Sequence, residues 1–149
     1  MNFQCLPFDK LSLEQLYKIM KLRQEVFVVE QNCPYLDADD KDQESFHLVS
    51  WDENGEALAY VRLLPKGLSY PEYASIGRVV TSAKIRRSGG GKQLMQEALL
   101  WAKKLFGDTP VKISAQSYLL SFYRNLGFEP IGEEYLEDDI PHRAMILRD

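Results

Sequence analysis

A mixed α/β fold, with a twisted central sheet flanked by helices, is predicted by three observations. Strand-like and helix-like stretches follow one another in the order β-α-β-β-β-α-β-α-β-β. The early strands run together through turns, which predicts an antiparallel half. The later ones alternate with helices around a glycine-rich loop, which predicts a strand–loop–helix–strand unit with a parallel pair. A chain of 149 residues has room for one real core, and 1–149 reads as a single domain.

The elements follow in order. Residues 3–8 read as a short first strand. Ser12 with Gln15 has capping-box spacing, and Leu13, Leu16, Tyr17, Met20 and Phe27 recur at helical spacing to about Val29. Residues 31–44 are polar, hold Pro34, Asp37, Asp39, Asp40 and Asp42, and read as a solvated loop with room for one helical turn. Residues 46–51 and 57–64 read as strands around the turn Glu53-Asn54-Gly55. Pro65, Gly67 and Pro71 mark a further loop before the strand at 75–81. Residues 92–105 form an amphipathic helix with Leu94, Met95, Ala98, Leu99 and Ala102 inward and Gly107 at its end. A strand at 111–116, a short helix at 117–125 stopped by Gly127, and closing strands at 128–135 and 142–147 complete the chain.

Composition narrows the function classes. Hydrophobic residues make up 45% and charged residues 27%, as in globular proteins rather than disordered ones. The net charge of -4 disfavours nucleic acid as a partner and mildly suits a cationic acceptor. No apolar stretch is long enough to span a bilayer, so no membrane association is expected. The N-terminus has no signal-peptide pattern, and Cys5 and Cys33 have no metal or redox spacing. The expectation is a cytoplasmic protein with two reduced thiols and no metal site.

The run Arg86-Arg87-Ser88-Gly89-Gly90-Gly91-Lys92 carries the most chemistry. Consecutive glycines admit turn conformations and close approach of a ligand. A helix starting there directs free N–H groups and its positive dipole end at one spot, which suits a phosphate or pyrophosphate. A P-loop is excluded because Gln93 follows Gly91-Lys92 and no glycine stands at the required spacing before it. A dinucleotide fingerprint fails because Leu94 occupies its third glycine position.

The strand followed by Arg86-x-x-Gly89-x-Gly91 and a helix resembles the acetyl-CoA loop of the GCN5-related N-acetyltransferases (GNAT). Ser121-Phe122-Tyr123-Arg124-Asn125-Leu126-Gly127-Phe128 is similar to that superfamily's Phe-Tyr-x-x-x-Gly-Phe segment, and the element order resembles its fold along nearly the whole chain. Within the superfamily, Phe27 to Tyr35, Gly77-Arg78-Val79-Val80 and Ile140-Pro141-His142 resemble the ElaA family. The resemblance implies a GNAT-like fold and an acetyl-CoA-dependent N-acetyltransferase that acts by direct attack of an amine.

It also implies roles. Backbone N–H groups from Arg86, Arg87, Ser88, Gly89, Gly90, Gly91 and Lys92 would take the pyrophosphate. Val79, Val80 and Thr81 would pair with the pantetheine arm, with Gln116 also on the cofactor. A backbone N–H of Val79 or Val80 would meet the developing oxyanion. Tyr123 is placed beside the sulfur as general acid, since a phenol with a pKa of about 10 is protonated at neutral pH. Some relatives carry a glutamate base on the strand before the loop, and the matching residue here is Ser75. His142 and Glu30 are the candidate bases, with water as a third route. Glu30 reads alternatively as a partner of Arg78 or of loop N–H groups.

Glu30, Tyr35, Arg78 and His142 are the candidate acceptor residues. Arg78 either binds a carboxylate on the acceptor or braces Glu30, and the two imply a carboxylated amine or a simple cationic amine. His47 reads as structural. A covalent acetyl-cysteine is disfavoured because neither thiol has an activating partner in the sequence, although Cys33 is near the expected acceptor region. The acceptor class is a small-molecule or peptide amine, and a homodimer through a sheet edge or helix face is compatible with the chain. Two other readings make different predictions. A non-catalytic acyl-CoA-binding or sensing domain would not need Tyr123, and a nucleotide-binding protein would let ATP or GTP compete for the loop.

Overall fold

The computed structural model describes residues 1–148. Its strands are β1 (Phe3–Pro7), β2 (Phe46–Trp51), β3 (Ala57–Leu64), β4 (Ala74–Thr81), β5 (Val111–Gln116), β6 (Glu129–Glu137) and β7 (Ile140–Leu147). Its α-helices are α1 (Leu13–Arg23), α2 (Gly90–Phe106) and α3 (Leu120–Asn125). The strands form one seven-stranded sheet in the order β1-β2-β3-β4-β5-β7-β6. Only β4 and β5, joined through α2, pair in parallel; every other neighbouring pair is antiparallel. The expected mixed sheet and element order are therefore present.

Alternation along the strands builds a core on each face. Leu48, Val61 and Leu63 pack with Leu94, Met95 and Ala98 of α2, and Tyr123 and Phe128 close the same cluster. Their neighbours Val49 and Tyr60 face the other way and pack with Ile19 and Leu22 of α1. Successive strand side chains point to opposite faces, so each strand serves both layers.

The ends of several elements differ from expectation. Phe8 belongs to a 3-10 turn, Phe8–Lys10, because β1 finishes at Pro7. The Ser12–Gln15 capping box is present, but the α-helix ends at Arg23 and continues as a wider π-helix over Gln24–Glu30. There Gln31 N–H donates to Val26 C=O at 3.1 Å, a bond spanning five residues. The β-branched and aromatic run from Val26 to Val29 crowds an α-helical turn, and a π segment often marks a functional site. The helix α2 starts two residues early, at Gly90, and the last hairpin is longer than expected. Its turn is Asp138-Asp139, both left-handed at φ 51 and 63, as a two-residue type I′ turn requires.

Candidate active site

The sheet opens at its centre. Strands β4 and β5 pair only at Ala74–Val111 and Ser75–Lys112, where the Ser75 hydroxyl also donates to Lys112 C=O at 2.7 Å. Beyond that point they part. The cause lies in β4, whose register against β3 shifts between Tyr60–Val80 and Arg62–Gly77. One extra residue is thereby inserted, and Arg78 sits there at φ 54. Such a bulge bends its strand and sharpens the local twist. A cavity of about 520 Å³ fills the gap, with Ile76 to Thr81 along one wall and Ile113 to Gln116 along the other. Val79, Val80, Thr81 and Gln116 thus meet across it. The β4 edge facing the gap has no strand beside it, so its backbone groups need a ligand or water as partner. An extended chain bearing amides, such as a pantetheine arm, fits that edge.

The glycine-rich loop turns immediately after β4. Arg87 and Gly89 both adopt left-handed backbone, at φ 67 and 79. A Cβ at Gly90 would lie 3.0 Å from the Ile85 side chain and 3.4 Å from its carbonyl oxygen. The helix α2 begins at Gly90 with no side-chain cap, so its first N–H groups are left for an anion. Ser88 hydroxyl donates to Ile85 C=O and holds the turn. Arg87 and Lys92 have no ion pair among the described residues. Of the run from Arg86 to Lys92, only Arg86 lines the cavity.

Tyr123, on α3, is buried at 8% exposure and lines the cavity. Phe122 and Phe128 hold its ring edge-on, at centroid distances of 5.1 and 5.9 Å. Burial, with a smaller contribution from Tyr118, pushes its phenol up to about 12. Its hydroxyl has no hydrogen-bond partner among the described residues. It is a protonated donor with nothing yet to donate to.

His142, near the start of β7, lines the same cavity with its side chain 9% exposed. Its Nδ1 lies 2.7 Å from Ile140 C=O, an acceptor only, which assigns the ring hydrogen to Nδ1. With that hydrogen on Nδ1, Nε2 makes no hydrogen bond among the described residues. It lies 3.6 Å from Glu137 Oε2, and Tyr135 stacks on the ring at 6.2 Å. The hydroxyls of Ser114 and Tyr135 are hydrogen-bonded to each other, and Ser114 Oγ also donates to Glu137 at 3.3 Å.

Glu30, at the end of the π segment, and Cys33 and Tyr35 beyond it line the mouth. Glu30 pairs with Arg86 at 2.6 Å, and Arg86 also donates to Thr81 C=O at 3.3 Å. The expected Glu30–Arg78 contact is therefore replaced by Glu30–Arg86. Arg86 binds a side chain rather than standing free for an anion. Cys33 makes no side-chain contact with an acid or base among the described residues. Burial pushes the Cys5 thiol up to about 11.

The aspartate loop overturns its reading as a solvated segment. Asp37 and Asp42 are buried, at 3% and 7% exposure, around the fully buried Arg23. Arg23 Nε donates to Asp37 and its Nη1 to Asp42, each at 2.8 Å. Arg62 grips Asp39 with two bonds of 2.8 Å and reaches Asp42 at 2.9 Å. Arg78 Nε lies 2.8 Å from Asp37 Oδ1, an ion-pair distance without hydrogen-bond alignment, while Nη2 donates to Asp37 C=O at 2.9 Å. Tyr35 hydroxyl donates to Asp37 at 3.1 Å, beneath the Arg78 guanidinium. Burial opposes the charge on Asp39 and Asp42, but the arginines outweigh it and hold both below the usual carboxylate range.

Three guanidiniums and three carboxylates thus pin loop 31–44 to α1, β3 and β4. His47, also buried, accepts from Tyr60 hydroxyl at 2.6 Å and donates to Asp42 C=O at 2.9 Å, so its structural reading agrees with these contacts. Arg23 and Arg62 were not identifiable as site residues. Their only sequence signal is a charge on an otherwise inward helix position and in a strand facing two ways.

Residues 11–148 match the acetyltransferase (GNAT) domain family. The chain is 42% identical over 146 residues to protein ElaA of Escherichia coli, covering 97% of this chain and 94% of that one. The ElaA crystal structure superposes with a TM-score of 0.91 over 99% of this chain and 100% of the other. The crystal structure of an acyl-CoA N-acyltransferase from Pseudomonas aeruginosa is 44% identical, with a TM-score of 0.92 over 99% of both chains.

Proposed function

The chain belongs to the GNAT acetyltransferase family, among ElaA-like proteins, and from that premise we propose that it transfers an acetyl group from acetyl-CoA to a primary amine by direct attack. The observation that carries this reading is the central gap of about 520 Å³, with an unpartnered, protonated phenol in its wall. Coenzyme A supplies the acyl group as a thioester with a good leaving group. Val79, Val80 and Thr81 offer their open backbone edge to the extended arm, with Gln116 opposite. The N–H groups from Arg86 to Lys92 and the start of α2 hold the pyrophosphate. A β4 backbone N–H, of Val79 or Val80, meets the carbonyl oxygen as it gains charge.

His142 Nε2 takes the proton of the incoming ammonium, and the neutral nitrogen forms the C–N bond. Tyr123 donates its proton to the sulfur as the C–S bond breaks, and the second proton of the acylated nitrogen passes through water to the tyrosinate, leaving a neutral amide and the free thiol. Burial keeps the phenol protonated until the thiolate develops beside it. Glu30 is the weaker candidate base because Arg86 already compensates it. Cys33 has no activating partner, which supports direct attack.

Titration calorimetry with acetyl-CoA, beside ATP, tests the ligand. Selective binding of acetyl-CoA is expected, and binding of ATP alone would overturn the reading. Tyr123→Phe tests catalysis: turnover falls by about 10²-fold while the dissociation constant for acetyl-CoA stays within about twofold. Unchanged turnover in that variant would favour a binding or sensing domain.

A further inference from the structure

The bulge in β4 rests on a residue that does not favour it. Arg78 and Val79 together stand opposite Val61, between the pairs Tyr60–Val80 and Arg62–Gly77. Arg78 carries the left-handed backbone, at φ 54, a conformation that side chains with a Cβ resist. A glycine stands beside it, yet Gly77 is not left-handed and has open space where a Cβ would lie. Local preference alone would put the left-handed turn on the glycine. A strained backbone persists where its surroundings over-determine it.

The surroundings here belong to loop 31–44. Arg78 Nε lies 2.8 Å from Asp37 Oδ1, and Nη2 donates to Asp37 C=O at 2.9 Å. The guanidinium lies over the Tyr35 ring, 5.8 Å from its centroid. Asp37 is not free to follow a moving arginine, because it is buried and its Oδ2 accepts from Arg23 of α1 at 2.8 Å. Arg78 is thus held at both ends, its backbone by the sheet and its fork, through Asp37, by α1.

We propose that Arg78 is a positioning residue: its grip on Asp37 holds the left-handed bulge, and the bulge aims the backbone N–H of Val79 or Val80 at the acyl carbonyl. The guanidinium acts through the backbone and does not touch the acyl group. The aim at the carbonyl rests on the acyltransferase reading; the grip on the bulge does not. Loop 31–44 thereby controls how strongly the thioester is polarised, while binding of the cofactor is left nearly intact.

Nuclear magnetic resonance on the full chain tests both halves. The coupling between the amide and α hydrogens of residue 78 reports its φ in the free protein. Acetyl-CoA labelled with 13C at the acetyl carbonyl reports hydrogen bonding in the complex, because its resonance moves downfield when a donor meets the oxygen. In Arg78→Ala, residue 78 is expected to leave the left-handed region and the bound carbonyl to lose most of its downfield displacement. The dissociation constant for acetyl-CoA should rise by no more than about fivefold, the worth of one ordinary hydrogen bond. Asp37 keeps Arg23 and the Tyr35 hydroxyl in this variant, so the loop retains a charge partner. Arg78→Gly lacks the same guanidinium but takes a left-handed φ without steric cost, and should keep more of the displacement than alanine does. An alanine that stays left-handed overturns the grip. A carbonyl that is not displaced on binding, or is unchanged in Arg78→Ala, overturns the positioning role. Equal losses in the alanine and glycine variants overturn it too, because they would put the guanidinium on the ligand itself. If acetyl-CoA does not bind, the acyltransferase reading falls instead, and the coupling in the free protein still decides the grip.

Discussion

The two sides of the cavity are built from different materials. The side proposed for the thioester is mostly backbone: a bulged β4, its open edge, two left-handed loop residues and an uncapped helix start. The side proposed for the acceptor is mostly side chains, with loop 31–44 held by a largely buried lattice of Arg23, Arg62, Arg78, Asp37, Asp39 and Asp42. Backbone sites depend on local conformation and need few particular residues. Charge lattices depend on partners far apart in the chain, and each member is indispensable to the others. The first kind of site tolerates change at its periphery; the second fails as a unit.

Removing Arg23 should break this contrast most severely. It is fully buried and bonded to both Asp37 and Asp42, so Arg23→Met leaves two carboxylates short of a partner. Breaking a buried pair on one side costs about 3–5 kcal/mol. Thermal or urea unfolding should show that loss. Arg23→Lys keeps the charge but loses the planar fork, and should lie between the two proteins. In the folded Lys variant the KM for the amine should rise while the dissociation constant for acetyl-CoA holds. Equal damage to both sites would mean that the lattice supports the whole sheet rather than the acceptor side.

Gly89→Ala sharpens the comparison from the other direction. At φ 79 an alanine is strained by about 1–2 kcal/mol. The loop would relax away from its present turn, and acetyl-CoA affinity should fall several-fold with little change in amine KM. Calorimetry and initial rates separate the two constants. A rise in amine KM alone would contradict the division of labour drawn above.

That division also explains what could be read from the sequence. Gly89, Gly90 and Gly91 announce themselves, because conformations that other residues resist are written as residue types. The Ser12–Gln15 cap, the hairpin at Asn54-Gly55 and the segment around Tyr123 are local signals of the same kind. The lattice is not local. Asp37, Asp39 and Asp42 look like a solvated acidic loop until Arg23, from 14 positions before Asp37, and Arg62, from 20 positions after Asp42, are folded against them. The Glu30–Arg86 pair joins residues 56 positions apart and displaced an expected Glu30–Arg78 contact for the same reason. The bulge that inserts Arg78 into β4 is a matter of register, which no pattern within one strand specifies.

Acid should distinguish the two sides last and most gently. His47 is buried among Tyr60, Asp42, Arg23 and Arg62, and burial holds its pKa below the ordinary value of 6.5. The unfolded chain therefore binds this proton more readily than the folded one. Stability from His47 is fully present above about pH 6.5 and declines as pH falls toward the folded pKa. Asp39 and Asp42, also held low, keep their contribution until pH falls below about 4 and then lose it as well. Urea midpoints should thus fall in two stages on acidification, the first between pH 7 and 5. His47→Gln, which keeps a polar side chain but cannot titrate, should flatten that first stage alone. A first stage that survives in His47→Gln would assign it elsewhere, with His142 next to be substituted. Because His47 bonds to Asp42 and not to the glycine loop, the acid-sensitive part of this fold is the arginine–aspartate lattice that pins loop 31–44.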